Sequence, residues 1–473
     1  MRSQRTSKSG LRGTGKGGLR VEYTDKPLSG WGGLLPFFTY WNGALSECLE
    51  AALPDGRTSN NQVTPPDIVR SLIATVLIGG CRFAHVDRIR EDEVIRQITG
   101  ARRLAGADTV RRYFMGFTPS QNEHLYATLR KATWEILGEQ EQEDILDLDS
   151  TVLDRFGEQE GVAKGYHPQR RVARSHHPLL GMLAKAKMIV HCWLRSGGAS
   201  THRGALEFLD ELLASMPGRI RLTAVRADSG FFSKEYLKGF EDRHLRYAVS
   251  MKISQPVRRF CQSIAESQWI RFDDDNDVAD TTYHPPQWPV GRRVVVVRKK
   301  VKSKDRDSML FDIPIYDYRA IVTDLQLPAI DLVHFYNNRG DCENRIKEFK
   351  NDFSARGFCL DSFIGTETVM RLLSIAFNVA TAFKTHVLLD ATLTLATVRN
   401  RIFVVGASIG RSARHTILRL GLRGRWRTEF EKLLKRVREL ATSTAAQLAN
   451  MLTVLAIQPP SPWRARRSKP AML

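Results

Sequence analysis

Residues 330–353 have the sequence IDLVHFYNNRGDCENRIKEFKNDF, whose periodicity predicts one long helix. At about 100° per residue, Tyr336, Arg339, Glu343 and Lys350 fall in one stripe about 60° wide. A second stripe, centred about 70° away, consists of apolar side chains, Phe335, Cys342, Ile346, Phe349 and Phe353. Such a helix packs its apolar stripe on a core and holds the Tyr-Arg-Glu-Lys stripe at the edge of that contact. This stripe indicates either a salt-bridge network or a carboxylate metal ligand beside two phosphate-binding cations.

Two aspartates stand at the ends of predicted strands upstream of this helix. Asp149 ends the strand 145–149, with Asp147 on the same face, and Asp228 directly follows the strand 220–227. In open α/β sheets, functional groups collect beyond the carboxyl ends of the strands. Taken alone, an Asp at such a position is more often the cap of a turn or of the next helix.

The chemistry of phosphodiesters gives these carboxylates a joint role. Cleavage and transfer of a phosphodiester require an activated nucleophile, a stabilised leaving oxygen and neutralised phosphate charge. Two Mg²⁺ ions about 4 Å apart supply all three, and Asp and Glu oxygens hold them. Asp149, Asp228 and Glu343 are therefore a candidate metal cage, with Arg339 as a bidentate fork for phosphate and Lys350 as a point charge.

The distribution of charge points to a polyanionic partner. The chain has 473 residues, 71 Lys and Arg and 51 Asp and Glu, for a formal net charge of +20. Residues 1–20 carry +6 and residues 401–473 carry +12, so residues 21–400 sum to only +2. A basic excess of this size favours nucleic acid or an anionic membrane surface.

A membrane protein and a disulfide-stabilised secreted protein are both disfavoured. The longest apolar runs, 68–81 and 372–389, contain Arg70 and Lys384 and fall short of the roughly 20 apolar residues of a spanning helix. The first 20 residues are basic and Gly-rich and lack the apolar segment of a secretory signal. The six cysteines form no C-x-x-C pair, which favours reduced thiols in a cytosol. We therefore expect a cytoplasmic protein that binds nucleic acid and no membrane.

The chain divides into a helical, a mixed and a second helical region. The predicted domains are a flexible basic arm at 1–30, a helical DNA-binding domain at 31–140, an α/β catalytic domain at 141–253 and 318–360, a β-rich insertion at 254–317 and a helical basic region at 361–473. Within the first helical domain, two short helices flank the turn at 100–106. The second carries Arg111, Arg112 and Tyr113, and the pair resembles a helix-turn-helix, although a solvated helical hairpin would have the same pattern.

These residues together resemble a known family. The Y-x2-R-x3-E-x6-K spacing, the segment LDLDST at 146–151 and the segment RADSGFF at 226–232 are similar to those of the DDE transposases of bacterial insertion sequences. The resemblance is narrower to the branch whose ribonuclease-H-like domain carries a β-rich insertion before the catalytic Glu. It implies a mixed α/β sheet with flanking helices and all-helical N- and C-terminal regions. It covers residues 140–360 most strongly.

The resemblance also implies roles for individual residues. Asp149, Asp228 and Glu343 would be the catalytic, metal-binding triad, with Asp149 preferred to Asp147 because the family places its first Asp before Ser or Thr. Arg339, Lys350 and Tyr336 would bind DNA phosphates near the cut end.

The implied cofactor and partners follow from the same family. Two Mg²⁺ ions, which Mn²⁺ can replace, would support cleavage at the transposon ends and attack by the freed 3′-OH. The implied partners are the terminal inverted repeats, the target DNA and a second subunit in a synaptic complex, on nucleoid DNA in a bacterial cytoplasm. The branch typically cuts through a hairpin, which requires a base held out of the stack. Trp269 and Trp288 of the insertion are candidates for holding it, although a core position is the more ordinary role of a Trp.

Two competing interpretations remain open at this point. One is another two-metal nuclease on the same fold, against which the position of Lys350 and the long insertion argue. The other is a domesticated or decayed transposase that binds DNA without cutting it, although all three carboxylates are present.

Overall fold

The computed structural model describes residues 23–56, 62–138, 140–165, 173–199, 204–300 and 316–455, with side chains described as far as residue 440. Its helices are α1 Leu35–Ala52, α2 Pro65–Leu77, α3 Glu93–Thr99, α4 Ala107–Met115, α5 Pro119–Ile136, α6 Ala205–Ser215, α7 Lys234–Asp242, α8 Gln255–Gln262, α9 Ala329–Asn337, α10 Gly340–Asn351, α11 Phe363–Ala382, α12 Leu395–Val398 and α13 Gly424–Leu455. Its strands are β1 Leu28–Ser29, β2 Gln142–Ser150, β3 Leu153–Asp154, β4 Ala163–Lys164, β5 Arg174–His176, β6 Leu179–Leu183, β7 Met188–Trp193, β8 Ile220–Ala227, β9 Tyr247–Ser250, β10 Trp269–Arg271, β11 Asn276–Tyr283, β12 Arg292–Lys300, β13 Tyr316–Thr323, β14 Ala407–Ser412 and β15 His415–Leu420. Most of the predicted basic arm lies outside the described residues.

A nine-stranded mixed sheet forms the centre of the fold, in the order β10-β11-β12-β13-β9-β8-β2-β6-β7. Strands β7, β6 and β2 are antiparallel, and β2, β8 and β9 are parallel. This is the ribonuclease-H-like arrangement, so the predicted α/β fold class is confirmed. The sequence did not predict β6, because its LLGML run is apolar at nearly every position and has no alternation that would mark a strand.

The side chains of strand β2 alternate between the two faces of the sheet, as a period of two requires. Leu146 and Leu148 are buried in the core under α6 and α7. The alternate residues Asp147 and Asp149 lie on the opposite face, which α9 and α10 cover. The sheet therefore delivers its carboxylates to the helices that carry the Tyr-Arg-Glu-Lys stripe.

The predicted β-rich insertion is an extension of this same sheet. Strands β10, β11 and β12 pair in antiparallel order, and β12 pairs with β13, which joins the edge of β9. Helix α8 precedes the three strands, and residues 301–315 of the insertion lie outside the described residues. The insertion therefore lengthens the sheet on the side away from β7.

The helices before and after the sheet share one hydrophobic core. Side chains of α1, α2, α4 and α5 pack with those of α11, and the same core takes in the apolar side of α10. Helix α11 continues through residue 387 and is apolar and long enough to cross a membrane, but 89% of its most apolar stretch is buried inside the protein. It is therefore the central helix of this core.

Two details differ from the sequence prediction. The C-terminal region contains the hairpin β14–β15, which pairs with β1, where only helices were predicted. These six-residue strands are short and half-exposed, so no apolar alternation identified them. The predicted long helix is divided at Asn338 and Arg339 into α9 and α10. The sequence Asn-Asn-Arg-Gly there contains three poor helix formers, and this composition explains the division.

Candidate active site

The first two candidate carboxylates lie side by side at the carboxyl ends of parallel strands. In the register of β2 and β8, Leu148 is paired with Ala227, so Asp149 and Asp228 follow as the next pair. Adjacent strands are about 4.8 Å apart, so the two aspartates emerge at the same edge of the sheet. The backbone N–H of Gly230 donates to Asp228 Oδ1 at 3.0 Å, which fixes that carboxylate at the start of the turn after β8.

Arg339 connects the first strand to the helix. Its Nη2 lies 3.0 Å from Asp149 Oδ1, and its Nη1 lies 2.7 Å from Glu343 Oε1. The arginine is buried, whereas the Glu343 side chain is 63% exposed. Within the described residues Arg339 Nε has no hydrogen-bond partner. The structure therefore brings Asp149, Arg339 and Glu343 into contact, and one guanidinium nitrogen at their centre is left unsatisfied.

Three carboxylates interact electrostatically in this site. The pKa of Asp149 is raised to about 7, chiefly by burial and also by the nearby charges of Asp228 and Glu343, against the lowering effect of Arg339. Repulsion of this kind marks a site that would gain from a cation between its carboxylates.

Tyr336 and Lys350 flank the carboxylates on either side. Tyr336 is buried and its hydroxyl donates to the carbonyl oxygen of Ala227 at 3.1 Å, directly before Asp228. Lys350 Nζ donates to Thr151 Oγ1 at 3.0 Å, two residues after Asp149. Burial lowers the pKa of Lys350.

Asp147 has a different environment from Asp149. It pairs in register with Arg226 on β8, whose Nε and Nη2 donate to its two carboxylate oxygens at 2.7 and 2.8 Å. Arg226 also donates to the carbonyl oxygen of Phe335 at 2.7 Å, so both charges are buried and satisfied. Sequence reasoning missed Arg226 as the partner of Asp147. The signal that could have found it is the parallel register of LDLD at 146–149 with VRAD at 225–228. Each segment has a second polar residue two positions before its final aspartate.

The donor chemistry fits a hard divalent cation. Asp149, Asp228 and Glu343 offer carboxylate oxygens, which are the ligands that Mg²⁺ prefers. Across the ranges that the structure describes, no three His, Cys, Asp or Glu side chains are grouped closely enough to hold a metal ion. The guanidinium of Arg339 lies between Asp149 and Glu343, so these two carboxylates would have to close around an ion.

The two tryptophans considered for holding a base are both engaged elsewhere. Trp288 is buried and packs against Phe232 and Tyr283 with ring centroids 5.8 and 5.6 Å apart. The guanidinium of Arg298 lies over Trp269, 4.3 Å from its ring centroid. Trp288 therefore belongs to the core of the extended sheet, and Trp269 covers its outer strands.

Comparison with known proteins gives one family and one structural likeness. The family model described as Transposase DDE domain group 1 matches residues 19–442. No curated protein matches the chain. Among solved structures, a cryo-EM structure of the piggyBac transposase synaptic complex with hairpin DNA is similar at 11% identity and a TM-score of 0.42, over 92% of this chain and 87% of that one.

Proposed function

We propose a reaction for this chain from an established premise: the chain belongs to the transposase DDE domain family, group 1. The reaction is cleavage of DNA at the ends of a mobile element, followed by transfer of the freed 3′-OH into target DNA. One observation carries this proposal. Asp149 and Asp228 stand at adjacent strand ends, and Arg339 ties Asp149 to Glu343.

In this proposal Asp149, Asp228 and Glu343 would hold two Mg²⁺ ions, which Mn²⁺ could replace. When bound, the ions activate the attacking oxygen and neutralise phosphate charge. Arg339 has an unsatisfied Nε and a fork geometry that suits a phosphate, so it would turn from the carboxylates to the DNA backbone. Lys350 would add a point charge to the same strand.

The partner in this proposal is double-stranded DNA, both the terminal inverted repeats and the target. The net charge of +20 supports a polyanionic partner, and exposed arginines just before and within the first turn of α13 supply part of it: Arg423, Arg425 and Arg427. The region 31–140 would contribute a helix-turn-helix in which α3 and α4 flank the turn, with Arg111 and Arg112 exposed on α4.

The finer steps that we propose are those of the resembling branch. The element would be cut out and pasted by a homodimer in a synaptic complex, through a hairpin intermediate, on nucleoid DNA in a bacterial cytoplasm. The branch would be that of insertion sequences with the Y-x2-R-x3-E-x6-K signature, which Tyr336, Arg339, Glu343 and Lys350 satisfy.

The test is a cleavage assay on supercoiled DNA that carries the sequences flanking the gene. The wild type should cut in Mg²⁺ and not in EDTA, whereas Asp149→Asn, Asp228→Asn and Glu343→Gln should bind the DNA without cutting it. The matched control is Asp341→Asn, which removes an exposed carboxylate from the same helix as Glu343.

Three outcomes would contradict the proposal. Full cleavage by any one triad variant would remove that residue from the site. Binding without cleavage by the wild type would favour a domesticated DNA-binding protein, and cleavage without strand transfer would favour a nuclease.

A further inference from the structure

Phe156 is an aromatic side chain that the fold holds in solvent. It is 92% exposed, the largest exposed fraction among the large hydrophobic side chains in the described parts of the chain. Single exposed apolar residues are ordinary, so exposure alone assigns no role to this one. The position of Phe156 does assign it a role, because the residue lies on the loop that follows β3, seven residues beyond Asp149.

The loop is fixed on both sides of Phe156. Arg155 is buried, its backbone N–H donates to the carbonyl oxygen of Arg174 at 2.9 Å, and its Nε donates to His176 Nδ1 at 3.0 Å. Beyond the tip, the backbone N–H of Glu160 donates to the carbonyl oxygen of Asp361 at 3.0 Å. A ring on such a loop loses little conformational freedom when it meets a partner, because its backbone is already ordered.

The base of the loop is joined to the candidate active site. Thr151 accepts a hydrogen bond from Lys350, and the side chain of Arg155 donates to the carbonyl oxygen of Arg356. The charges of Asp154 and Arg356 both act on the pKa of Lys350, although burial has the larger effect on it. Phe156 is two residues beyond Asp154, a span of at most about 7 Å. Phe156 is also five residues beyond Thr151, which Lys350 contacts, so its Cα lies within about 18 Å of that of Thr151, about five base steps along one strand.

The segments that are hydrogen-bonded to this loop carry exposed cations, while the loop itself carries the acids Asp154, Glu158 and Glu160. Arg356 and Lys164 are exposed, and Arg174 is exposed and paired with Glu158 at 3.0 Å. An exposed aromatic ring beside cations is the combination that proteins use to stack a nucleobase while they hold its backbone.

We propose that Phe156 stacks on an unpaired nucleobase at the DNA end and so positions that end for cleavage. This inference rests on the proposed function, since it requires DNA in the Asp149 site. Phe156 is a positioning residue in this account, because it touches a base and takes no part in the chemical step.

The first measurement is binding of a mixed-sequence duplex with an unpaired overhang that carries 2-aminopurine, in Ca²⁺. Wild type should change the fluorescence of the probe through stacking, and Phe156→Ala should abolish that change and weaken binding about tenfold, or about 1.4 kcal/mol. Phe156→Trp should restore both. The control is Ile270→Ala, which removes a 58% exposed apolar side chain from the sheet edge at β10 and should match wild type.

Salt dependence separates stacking from backbone contact. Phe156→Ala should leave the slope of log K against log salt unchanged, whereas Lys350→Ala should reduce its magnitude by about 0.7 to 0.9. An unchanged fluorescence signal with Phe156→Ala would overturn the inference, as would dimers that dissociate in this variant without DNA. The latter result would make the ring an interface between two copies. These readouts need no cleavage, so the inference can fail while Mg²⁺-dependent cutting, and with it the proposed function, stands.

Discussion

The Asp147→Ala variant should unfold more easily than wild type, whereas the Asp149→Ala variant should not. Asp147 and Arg226 are 1% and 3% exposed at the side chain and share two hydrogen bonds of 2.7 and 2.8 Å. Removal of one partner of a buried pair costs about 3–5 kcal/mol, because the other charge is left uncompensated.

The surroundings of Arg226 reduce the expected cost of removing Asp147. The guanidinium keeps its hydrogen bond to the carbonyl oxygen of Phe335 and its place over the Phe335 ring, 5.3 Å from the centroid. A cavity of about 300 Å³ beside it, also lined by Asp147, can admit water to the exposed nitrogen. We therefore expect a loss of about 3 kcal/mol in the free energy of unfolding, at the lower end of the range.

Urea denaturation followed by circular dichroism at pH 8 measures both variants. Asp149→Ala should be nearly as stable as wild type, because burial disfavours the Asp149 carboxylate and Arg339 keeps its ion pair with Glu343 at 2.7 Å. The double variant Asp147→Ala with Arg226→Met should recover most of the loss, since no buried charge then remains. Equal losses in the two single variants, or no loss in Asp147→Ala, would refute this division between a structural and a functional aspartate.

Three other predictions concern stability and the later reaction steps. Because the folded pKa of Asp149 is raised to about 7, wild type should lose stability relative to Asp149→Asn as pH rises from about 4 to about 7, and urea unfolding across that range checks it. Lys384→Met should cost about 2 kcal/mol of unfolding free energy, because it removes the 3.0 Å ion pair with the equally buried Glu348, which keeps its pair with Arg345 at 3.1 Å; a loss below about 1 kcal/mol would contradict it. Arg339→Ala and Lys350→Ala should keep metal binding, measured by calorimetry, but impair strand transfer in a plasmid assay; unchanged transfer in both would remove their role.

The sequence predicted the relative placement of the candidate side chains better than it predicted the backbone around them. Periods of two and 3.6 put Asp149 at a strand end and Arg339 beside Glu343, and these local patterns survive in the fold. The division at Asn338 depends on differences in helix propensity of at most about 1 kcal/mol per residue, which a periodic pattern does not report.

Features that depend on distant pairing were missed for a different reason. The register that joins Asp147 to Arg226 links residues 79 apart in sequence. The hairpin β14–β15 is completed by β1, from the opposite end of the described chain. The composition of residues 254–317 also predicted a β-rich insertion, but it did not indicate that the strands continue the central sheet.

The proposed function requires that Asp149, Asp228 and Glu343 together hold divalent ions. Its most direct test is Mn²⁺ binding to the DNA-bound protein, measured by electron paramagnetic resonance, with Asp341→Asn as the control. We expect two Mn²⁺ ions per site in wild type and control, and loss of binding in Asp149→Asn, Asp228→Asn and Glu343→Gln. Unaltered Mn²⁺ binding in these three variants would contradict it.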